Sequence, residues 1–227
     1  MFKKKIVCVI PVKTKSTRLK KKNFLNFYGT PLFLLAIKIA KASKCFDLII
    51  VTSDNKRIKR LCEKNGAIFH YRTKYTDKHS AVSLATYNVI NELRLYKNFD
   101  YVAQLMATCP LRTVENIQGS ILEFFKKKNN YQISVYNCSW VKNNYIFYNK
   151  NKNYKLFKNE FLTGKSCLFP SGVVWLANIK KFMKEKTFYG KKYALHELPW
   201  YNSIDIDYEK DFLNAKIIKK FFKYPYV

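Results

Sequence analysis

The sequence is short of acidic residues, of closely spaced cysteines and of long apolar runs. None of its six cysteines forms a C-x-x-C pair, so a zinc or redox site is unsupported, and reduced, partly buried thiols in a cytoplasmic protein are expected. No apolar run approaches the roughly 18 residues of a membrane span. The run after the basic start stops at Pro11, so we expect no signal peptide. The absence of G-x-G-x-x-G argues against a dinucleotide-binding fold.

The charge balance is strongly one-sided. The 43 lysines and arginines outnumber the 15 acids and give a formal net charge of +28. Such a charge can indicate a nucleic acid or an acidic membrane as partner. The lysines are spread over the whole chain, however, together with much Asn, Ile, Phe and Tyr, as an AT-rich genome would produce. We therefore do not expect nucleic acid to be the main partner.

Strand-like and helix-like segments alternate along the 227 residues, which are enough for one α/β domain with a sizeable core. Apolar, β-branched runs predict strands, and apolar residues at helical spacing predict helices between them. This alternation predicts a mostly parallel sheet built from right-handed β-α-β units. The predicted strands are residues 6–10, 47–52, 67–71, 99–106, 133–138, 169–176 and 194–198. The predicted helices are residues 33–42, 55–65, 81–93, 114–127, 179–184 and 211–222, and residues 139–165 predict a β-hairpin excursion.

A loop dense in cations and hydroxyls follows the first predicted strand, which Pro11 is expected to end. Ligands of open α/β sheets bind at the carboxyl ends of the strands, where this loop must lie. Cations and hydroxyls together suit a polyphosphate, which needs its charge neutralised and its oxygens hydrogen-bonded. A solvated basic loop is the plainer alternative. The residues concerned are Lys13, Lys15, Ser16, Thr17, Arg18, Lys20, Lys21 and Lys22.

The densest group of acids lies near the other end of the chain, in SIDIDYEKDF. Period-two spacing places Asp205 and Asp207 on one face of an extended segment. Two carboxylates on one face form a hard oxygen site for Mg²⁺, which keeps waters and substrate phosphates as its other ligands. The alternative is a helix entry with Asp207 as N-cap, followed by Glu209 and Asp211 at the positive end of the dipole. The two interpretations are compatible.

Four separated motifs resemble the CMP-sialic acid synthetases, the acylneuraminate cytidylyltransferase family that includes the pseudaminic and legionaminic acid enzymes. Residues 10–23 resemble I-P-A-R-x-G-S-K-R-x-x-x-K-N, with Lys13 replacing Arg and Thr14-Lys15 replacing two small residues. Residues 72–80, RTKYTDKHS, resemble R-P-x-x-L-A-x-D-x-A-S. Residues 104–112, QLMATCPLR, resemble L-Q-P-T-S-P-L-R, and residues 203–212 resemble D-I-D-T-x-E-D-F. The resemblance extends from Ile6 to about Ile218.

The resemblance implies a three-layer α/β/α fold of the nucleotide-diphosphosugar transferase type. Residues 139–168 would project as a dimerisation arm that completes the partner subunit's sugar site in a homodimer. The implied reaction joins CTP to a nine-carbon 2-keto sugar acid, with Mg²⁺ as cofactor, to give a CMP-sugar and pyrophosphate for surface glycan synthesis. The implied CTP contacts are Lys13, Ser16, Arg18, Lys22, Asn23, Arg72 and Ser80, and the sugar contacts are Gln104, Lys142 and Lys165. The implied catalytic residues are Lys22, Asp205 and Asp207, the two aspartates as metal ligands.

Two other functions stay open. A 3-deoxy-octulosonate cytidylyltransferase resembles this chain in the first loop but typically has Lys-Pro where the chain has Lys22-Asn23. A non-catalytic relative that binds a nucleotide or a polyanion is favoured by the loss of the small residues at positions 14 and 15, and opposed by the intact Lys22 and aspartates.

Single residues also have structural alternatives. Gln104 could be a satisfied polar residue of the sheet, and Ser80 a helix N-cap. Arg112 could pair with a carboxylate or a phosphate, and we expect a structural role for His196.

Overall fold

The computed structural model describes residues 4–14, 16–77, 80–137, 145–150, 153–158 and 168–221. Strands and helices alternate through these ranges as the sequence predicts. The strands are β1 Ile6–Val12, β2 Asn26–Phe27, β3 Thr30–Pro31, β4 Leu48–Ser53, β5 Ile68–Tyr71, β6 Tyr101–Gln104, β7 Tyr131–Asn137, β8 Tyr145–Lys150, β9 Asn153–Lys158, β10 Leu168–Asn178 and β11 Tyr193–Leu198. The helices are α1 Leu32–Ala42, α2 Lys59–Lys64, α3 Val82–Glu92, α4 Val114–Lys127, α5 Ile179–Glu185 and α6 Glu209–Phe221.

Seven strands form one mostly parallel sheet in the order β11-β7-β10-β6-β1-β4-β5. Strand β1 lies at the centre and pairs in parallel with β4 and β6, and β5 continues the parallel set beside β4. Strand β10 is antiparallel to both its neighbours, β6 and β7, whereas β11 pairs in parallel with β7. The predicted sheet is confirmed, and its parallel half brings the ends of β1, β4 and β6 to one edge.

Strand β1 divides the core into two layers because its side chains alternate between the faces of the sheet. Cys8 and Ile10 pack on the side of α1 and α4, while Val7 and Val9 pack on the side of α3 and α5. All four side chains are fully buried. At roughly 1.5–3 kcal/mol for each buried aliphatic side chain, this strand is a large contributor to the core. Helices therefore cover both faces of the sheet, as the three-layer prediction requires.

Pro11 does not end the first strand, which continues to Val12. Val9 accepts a hydrogen bond from the N–H of Leu105, so its peptide groups face β6. Pro11, two residues later, faces the same side, but the pairing with β6 has already stopped at Val9. The missing N–H of Pro11 is therefore not needed by the sheet, and β1 continues beside β4 alone.

Some helix boundaries also differ from the predictions. Helix α3 begins at Val82 with Ala81 as N-cap, so Ser80 does not cap it. Helix α6 begins at Glu209, two residues after Asp207. A side chain of its first turn caps it: the carboxylate of Asp211 accepts the N–H groups of Asp207 and Tyr208. Helix α2 is followed by Gly66 with a φ of 85°, the left-handed conformation in which a glycine commonly ends a helix.

The predicted hairpin is present as β8 and β9, which pair antiparallel in a two-stranded sheet of their own. Its role as a dimerisation arm stays a prediction, and Lys142 and Lys165 lie outside the described residues. The four cysteines in the described ranges, Cys8, Cys45, Cys62 and Cys109, are free. None of the helices in those ranges combines the length and apolar character needed to cross a membrane.

Candidate active site

The carboxyl ends of β1, β4, β5 and β6 open onto one cleft. A hollow of about 230 Å³ lies under the loop that follows β1, and all seven predicted CTP contacts line it. A second hollow of about 780 Å³ lies beside it and is lined by Asp205 and Asp207 together with Tyr136, Trp200 and Lys210. The seven contacts are Lys13, Ser16, Arg18, Lys22, Asn23, Arg72 and Ser80. The structure thus brings together side chains that the sequence distributes over more than half the chain.

Asp207 joins the two hollows through ion pairs with the first loop. Its Oδ1 lies 2.7 Å from Lys22 Nζ, and its Oδ2 lies 2.8 Å from Arg18 Nη1. Lys22 Nζ also donates to the main-chain oxygen of Ile206, at 3.1 Å. Lys22 is only partly exposed, so water screens its pair less than it screens a surface pair. Two cations predicted to hold phosphates and one carboxylate predicted to hold metal are therefore in direct contact.

The start of the loop is fixed by short polar contacts. Asn23 is buried, and its Nδ2 donates to the main-chain oxygen of Lys13 at 2.9 Å. Lys13 Nζ reaches across the hollow to the main-chain oxygen of Asp77, also at 2.9 Å. The carboxylate of Asp77 accepts from both the N–H and the hydroxyl of Ser80. Asp77 thus connects Lys13 with Ser80 in the lining of the smaller hollow.

Arg72 is a buried cation with unused donors. Only 3% of its surface is exposed, and its Nε and Nη2 have no hydrogen-bond partner in the described part of the chain. Burial lowers the pKa of its guanidinium, and the charge of Asp54 partly opposes this effect. Leaving such donors unpaired is costly, so a polar acceptor in the hollow is the natural complement of Arg72.

Asp205 lies in a concave part of the surface, open to the cleft and yet closely surrounded by protein. This removal from water raises the pKa of its carboxyl group, and the nearby charge of Asp207 adds to the effect. Thr108, Lys22 and Arg112 act in the opposite direction. A carboxylate that is poorly solvated and stands next to a second carboxylate gains from a bound cation.

The donor set fits Mg²⁺. Among the described residues no three His, Cys, Asp or Glu side chains form a metal-binding group, and Asp205 and Asp207 line the larger hollow as a pair of carboxylates. Mg²⁺ is usually held in this way, by one or two carboxylates with waters and substrate phosphates completing the shell. Asp207 already forms ion pairs with Arg18 and Lys22, so positive charge is accommodated next to its carboxylate.

Arg112 holds together two main-chain segments next to the site. Its buried guanidinium donates to the main-chain oxygens of Met106, Gly172 and Val173, so its partners are carbonyls rather than the carboxylate or phosphate that the sequence left open. Thr108, in the same turn, accepts the N–H of Ile206 at 2.9 Å. Through this bond the turn after β6 positions the segment that carries both aspartates.

The comparisons with known proteins agree with this geometry. The sequence model of a family described as cytidylyltransferase matches residues 7–221. The chain belongs to the cytidylyltransferase family.

Several relatives align with this chain over nearly its whole length. It is 25% identical to the pseudaminic acid cytidylyltransferase of Campylobacter jejuni strain 81-176, with 95% of this chain and 97% of the relative covered. It is 26% identical to the N-acylneuraminate cytidylyltransferase of Escherichia coli O18:K1:H7, with 95% of this chain but 52% of that longer protein covered. The structure of a CMP:2-keto-3-deoxy-manno-octonic acid synthetase complexed with CTP superposes with a TM-score of 0.70 at 11% identity, covering 95% of this chain and 98% of that one. That likeness confirms the fold.

Two residues that the sequence analysis discussed have partners within the chain. Gln104 is buried, accepts from the Thr86 hydroxyl at 2.6 Å and donates to the Met106 sulfur at 3.7 Å. Its sugar contact stays a prediction, and the amide nitrogen has a second N–H that could make it. His196 contacts the carboxylate of Glu123 on α4, in line with a structural role.

Two contributors were not predicted as site residues from the sequence, Asp54 and Thr108, whereas Asp77 matches the D of the second motif, for which the resemblance implies a nucleoside contact. Each is a polar residue close behind the end of a strand, which is the pattern that indicates ligand sites in α/β sheets. The position of Asp54 directly after β4 carried this signal, whereas the carbonyl contacts of Asp77 and Thr108 depend on partners far along the chain.

Proposed function

We propose that this chain transfers the cytidylyl group of CTP to a nine-carbon 2-keto sugar acid and releases pyrophosphate. Sialic, legionaminic and pseudaminic acids form this substrate class. The reaction yields the CMP-sugar from which surface glycans are built. The names of the aligned relatives support the substrate class, and the cleft of this chain supports the chemistry.

The observation that carries the proposal is the contact of Asp207 with Lys22 and Arg18. A protein that only bound an anion would gain nothing from a carboxylate that neutralises its own phosphate-binding cations. A transferase needs both signs of charge in one place, because cations stabilise the phosphates while the carboxylates hold a metal ion against them. The contact therefore favours the enzyme over the non-catalytic binder.

The two hollows suggest how the substrates divide. The smaller, cationic hollow suits the nucleotide, with Arg72 and Ser80 toward the nucleoside and the first loop on the triphosphate. The larger hollow suits the sugar acid, because it combines the aromatic rings of Tyr136 and Trp200 with Lys210 and Asn214. The aspartate pair lies on the wall of the larger hollow, next to Lys22.

In the proposed reaction the anomeric hydroxyl oxygen of the sugar acid attacks the α-phosphorus of CTP. The new P–O bond forms as the bond to the β-phosphate oxygen breaks, pyrophosphate leaves, and the hydroxyl proton passes to solvent. Lys22 and Arg18 neutralise the charge that grows on the leaving pyrophosphate, and Arg72 orients the nucleotide. Neither of the two hollows is lined, among the described residues, by a His or Glu that could act as general base, and the proposed reaction uses none.

We further propose that Asp205 and Asp207 hold Mg²⁺. A bound Mg²⁺ would neutralise phosphate charge and lower the pKa of the attacking hydroxyl. The residues themselves supply an oxygen pair whose mutual repulsion favours a cation.

The remaining expectations also belong to this proposal. We propose that residues 1–227 act as one catalytic domain in the cytoplasm and form a homodimer. Residues 139–168, with Lys142 and Lys165, would then complete the partner's sugar site. The measured mass of the purified protein in solution, by light scattering, tests the dimer.

The activity is tested by pyrophosphate release from CTP and Mg²⁺ with single sugar acids. We expect release with one of the nine-carbon acids and its loss in Asp207→Ala. Asp100→Asn is the matched control, because Asp100 bonds Lys5 N at the opposite end of β1, and it should stay active. An inactive wild type that still binds CTP would support the non-catalytic binder, and release with only the eight-carbon octulosonate would support the other alternative.

A further inference from the structure

The first loop is also anchored by a residue for which the proposed reaction has no role. Asp54 Oδ1 accepts two hydrogen bonds from Thr14, one from its N–H and one from its hydroxyl, each at 2.8 Å. Asp54 directly follows β4, and Thr14 lies two residues after β1. The contact therefore ties the loop to the neighbouring strand at the edge where the cleft opens.

A single peptide group of this loop is held on both sides. Its C=O, which belongs to Lys13, accepts from Asn23 Nδ2, and its N–H, which belongs to Thr14, donates to Asp54. Fixing a peptide plane in this way restricts ψ of Lys13 and φ of Thr14, the two torsions that set where the loop goes next. The direction in which the chain enters Thr14 is thus restricted by contacts within the protein itself.

The hydroxyl of Thr14 adds a third bond to this arrangement. The family pattern that the loop resembles has small residues at positions 14 and 15, which leave the backbone free. Here a β-branched side chain restricts the backbone and also bonds Asp54. The residue that departs from the family pattern thus gains a hydrogen bond to Asp54, which lies outside the loop.

We propose that Thr14 and Asp54 are positioning residues that pre-organise the triphosphate-binding loop of this chain. Neither acts on the reacting atoms; they lower the entropy that the loop loses when the nucleotide binds. The inference rests on the proposed function, since it assumes that the loop binds CTP. It assigns Thr14, which departs from the family pattern, a part in that binding.

The test is the CTP dissociation constant by calorimetry, without sugar acid, for the wild type and four variants. Thr14→Val keeps the shape and loses the hydroxyl, and should weaken CTP binding about fivefold, as expected for one hydrogen bond. Thr14→Ser should restore affinity to within about twofold, and Asp54→Ala, which loses both bonds, should weaken binding about thirtyfold or more. Turnover at saturating CTP should change little in Thr14→Val, because the loss falls on binding.

Asp47→Ala is the matched control. Asp47 accepts the N–H of Ile6 at 2.9 Å, so it joins the same two strands at their opposite end. This variant should lower the melting temperature and leave CTP affinity unchanged. Equal CTP affinity in Thr14→Val and wild type, failed rescue by Ser, or an equal loss of affinity in Asp47→Ala would overturn the positioning role. A wild type that binds no CTP would overturn the proposed function and this inference with it.

Discussion

Lys22 Nζ lies 2.7 Å from Asp207 Oδ1, although 185 positions separate the two residues in the chain. The contact joins the first and the last of the sequence motifs across the cleft. Each partner has a second assignment in the proposed reaction, Lys22 to the phosphates and Asp207 to the metal. The ion pair is therefore expected to separate when the substrates bind. Its strength should affect the binding of both the nucleotide and the metal.

Lys22→Met should move metal and nucleotide affinity in opposite directions. Removing the ammonium frees Asp207 Oδ1 and removes a nearby positive charge, so Mn²⁺, used as a spectroscopic substitute for Mg²⁺, should bind about threefold to tenfold more tightly without nucleotide. CTP should bind about tenfold more weakly or worse, because a phosphate contact is lost. Electron paramagnetic resonance of Mn²⁺ and calorimetry with CTP measure the two effects. Lys20→Met, the same change at an exposed neighbour, should alter both by less than about twofold. A parallel loss of both affinities would contradict the pairing.

Asp205→Asn should stabilise the metal-free protein at neutral pH while abolishing activity. Removal from water raises the pKa of Asp205 in the folded state, so its ionisation costs stability as the pH rises through that value. The cost is absent below the unfolded pKa of about 3.9. The variant should therefore melt above the wild type at about pH 7.5, and the difference should shrink toward about pH 4. Calorimetric melting in chelator measures it, and a difference that does not depend on pH would refute the cause.

Arg112→Lys should destabilise the fold although it keeps the charge. Lysine cannot reproduce the planar fork that reaches the carbonyls of Met106, Gly172 and Val173 together, so at least one buried carbonyl loses its donor. We expect a loss of about 3 kcal/mol or more in the free energy of unfolding. Urea denaturation measures it, with Arg57→Lys on the exposed surface as control. An unchanged midpoint would show that the three contacts are dispensable.

Much of the site follows from the sequence because the parallel sheet places strand ends together. Asp205 and Asp207 were predicted from their spacing, and Lys22 from a loop that had to lie at the carboxyl edge. The parallel pairing of β1 with β4 and β6 brings the loop that holds Lys22 to the carboxyl edge, and the bond from Ile206 N–H to the Thr108 main-chain oxygen brings the aspartates there.

Other features depend on partners that spacing does not show. The continuation of β1 through Pro11 follows from the early end of its pairing with β6. The buried amide of Gln104 is hydrogen-bonded by Thr86 of α3, and the start of α6 is capped by Asp211 rather than by another of the nearby acids. Thr14 looked like a departure from the family pattern because Asp54, its partner, lies 40 residues away.

The most direct test of the central claim is a competition in one vessel. The wild type is incubated with CTP, Mg²⁺ and an equimolar mixture of neuraminic, legionaminic and pseudaminic acid derivatives and the eight-carbon octulosonate, and the products are identified by mass spectrometry. We predict the CMP ester of one nine-carbon acid as the main product. A CMP ester of the octulosonate, or no CMP ester at all, would contradict the account.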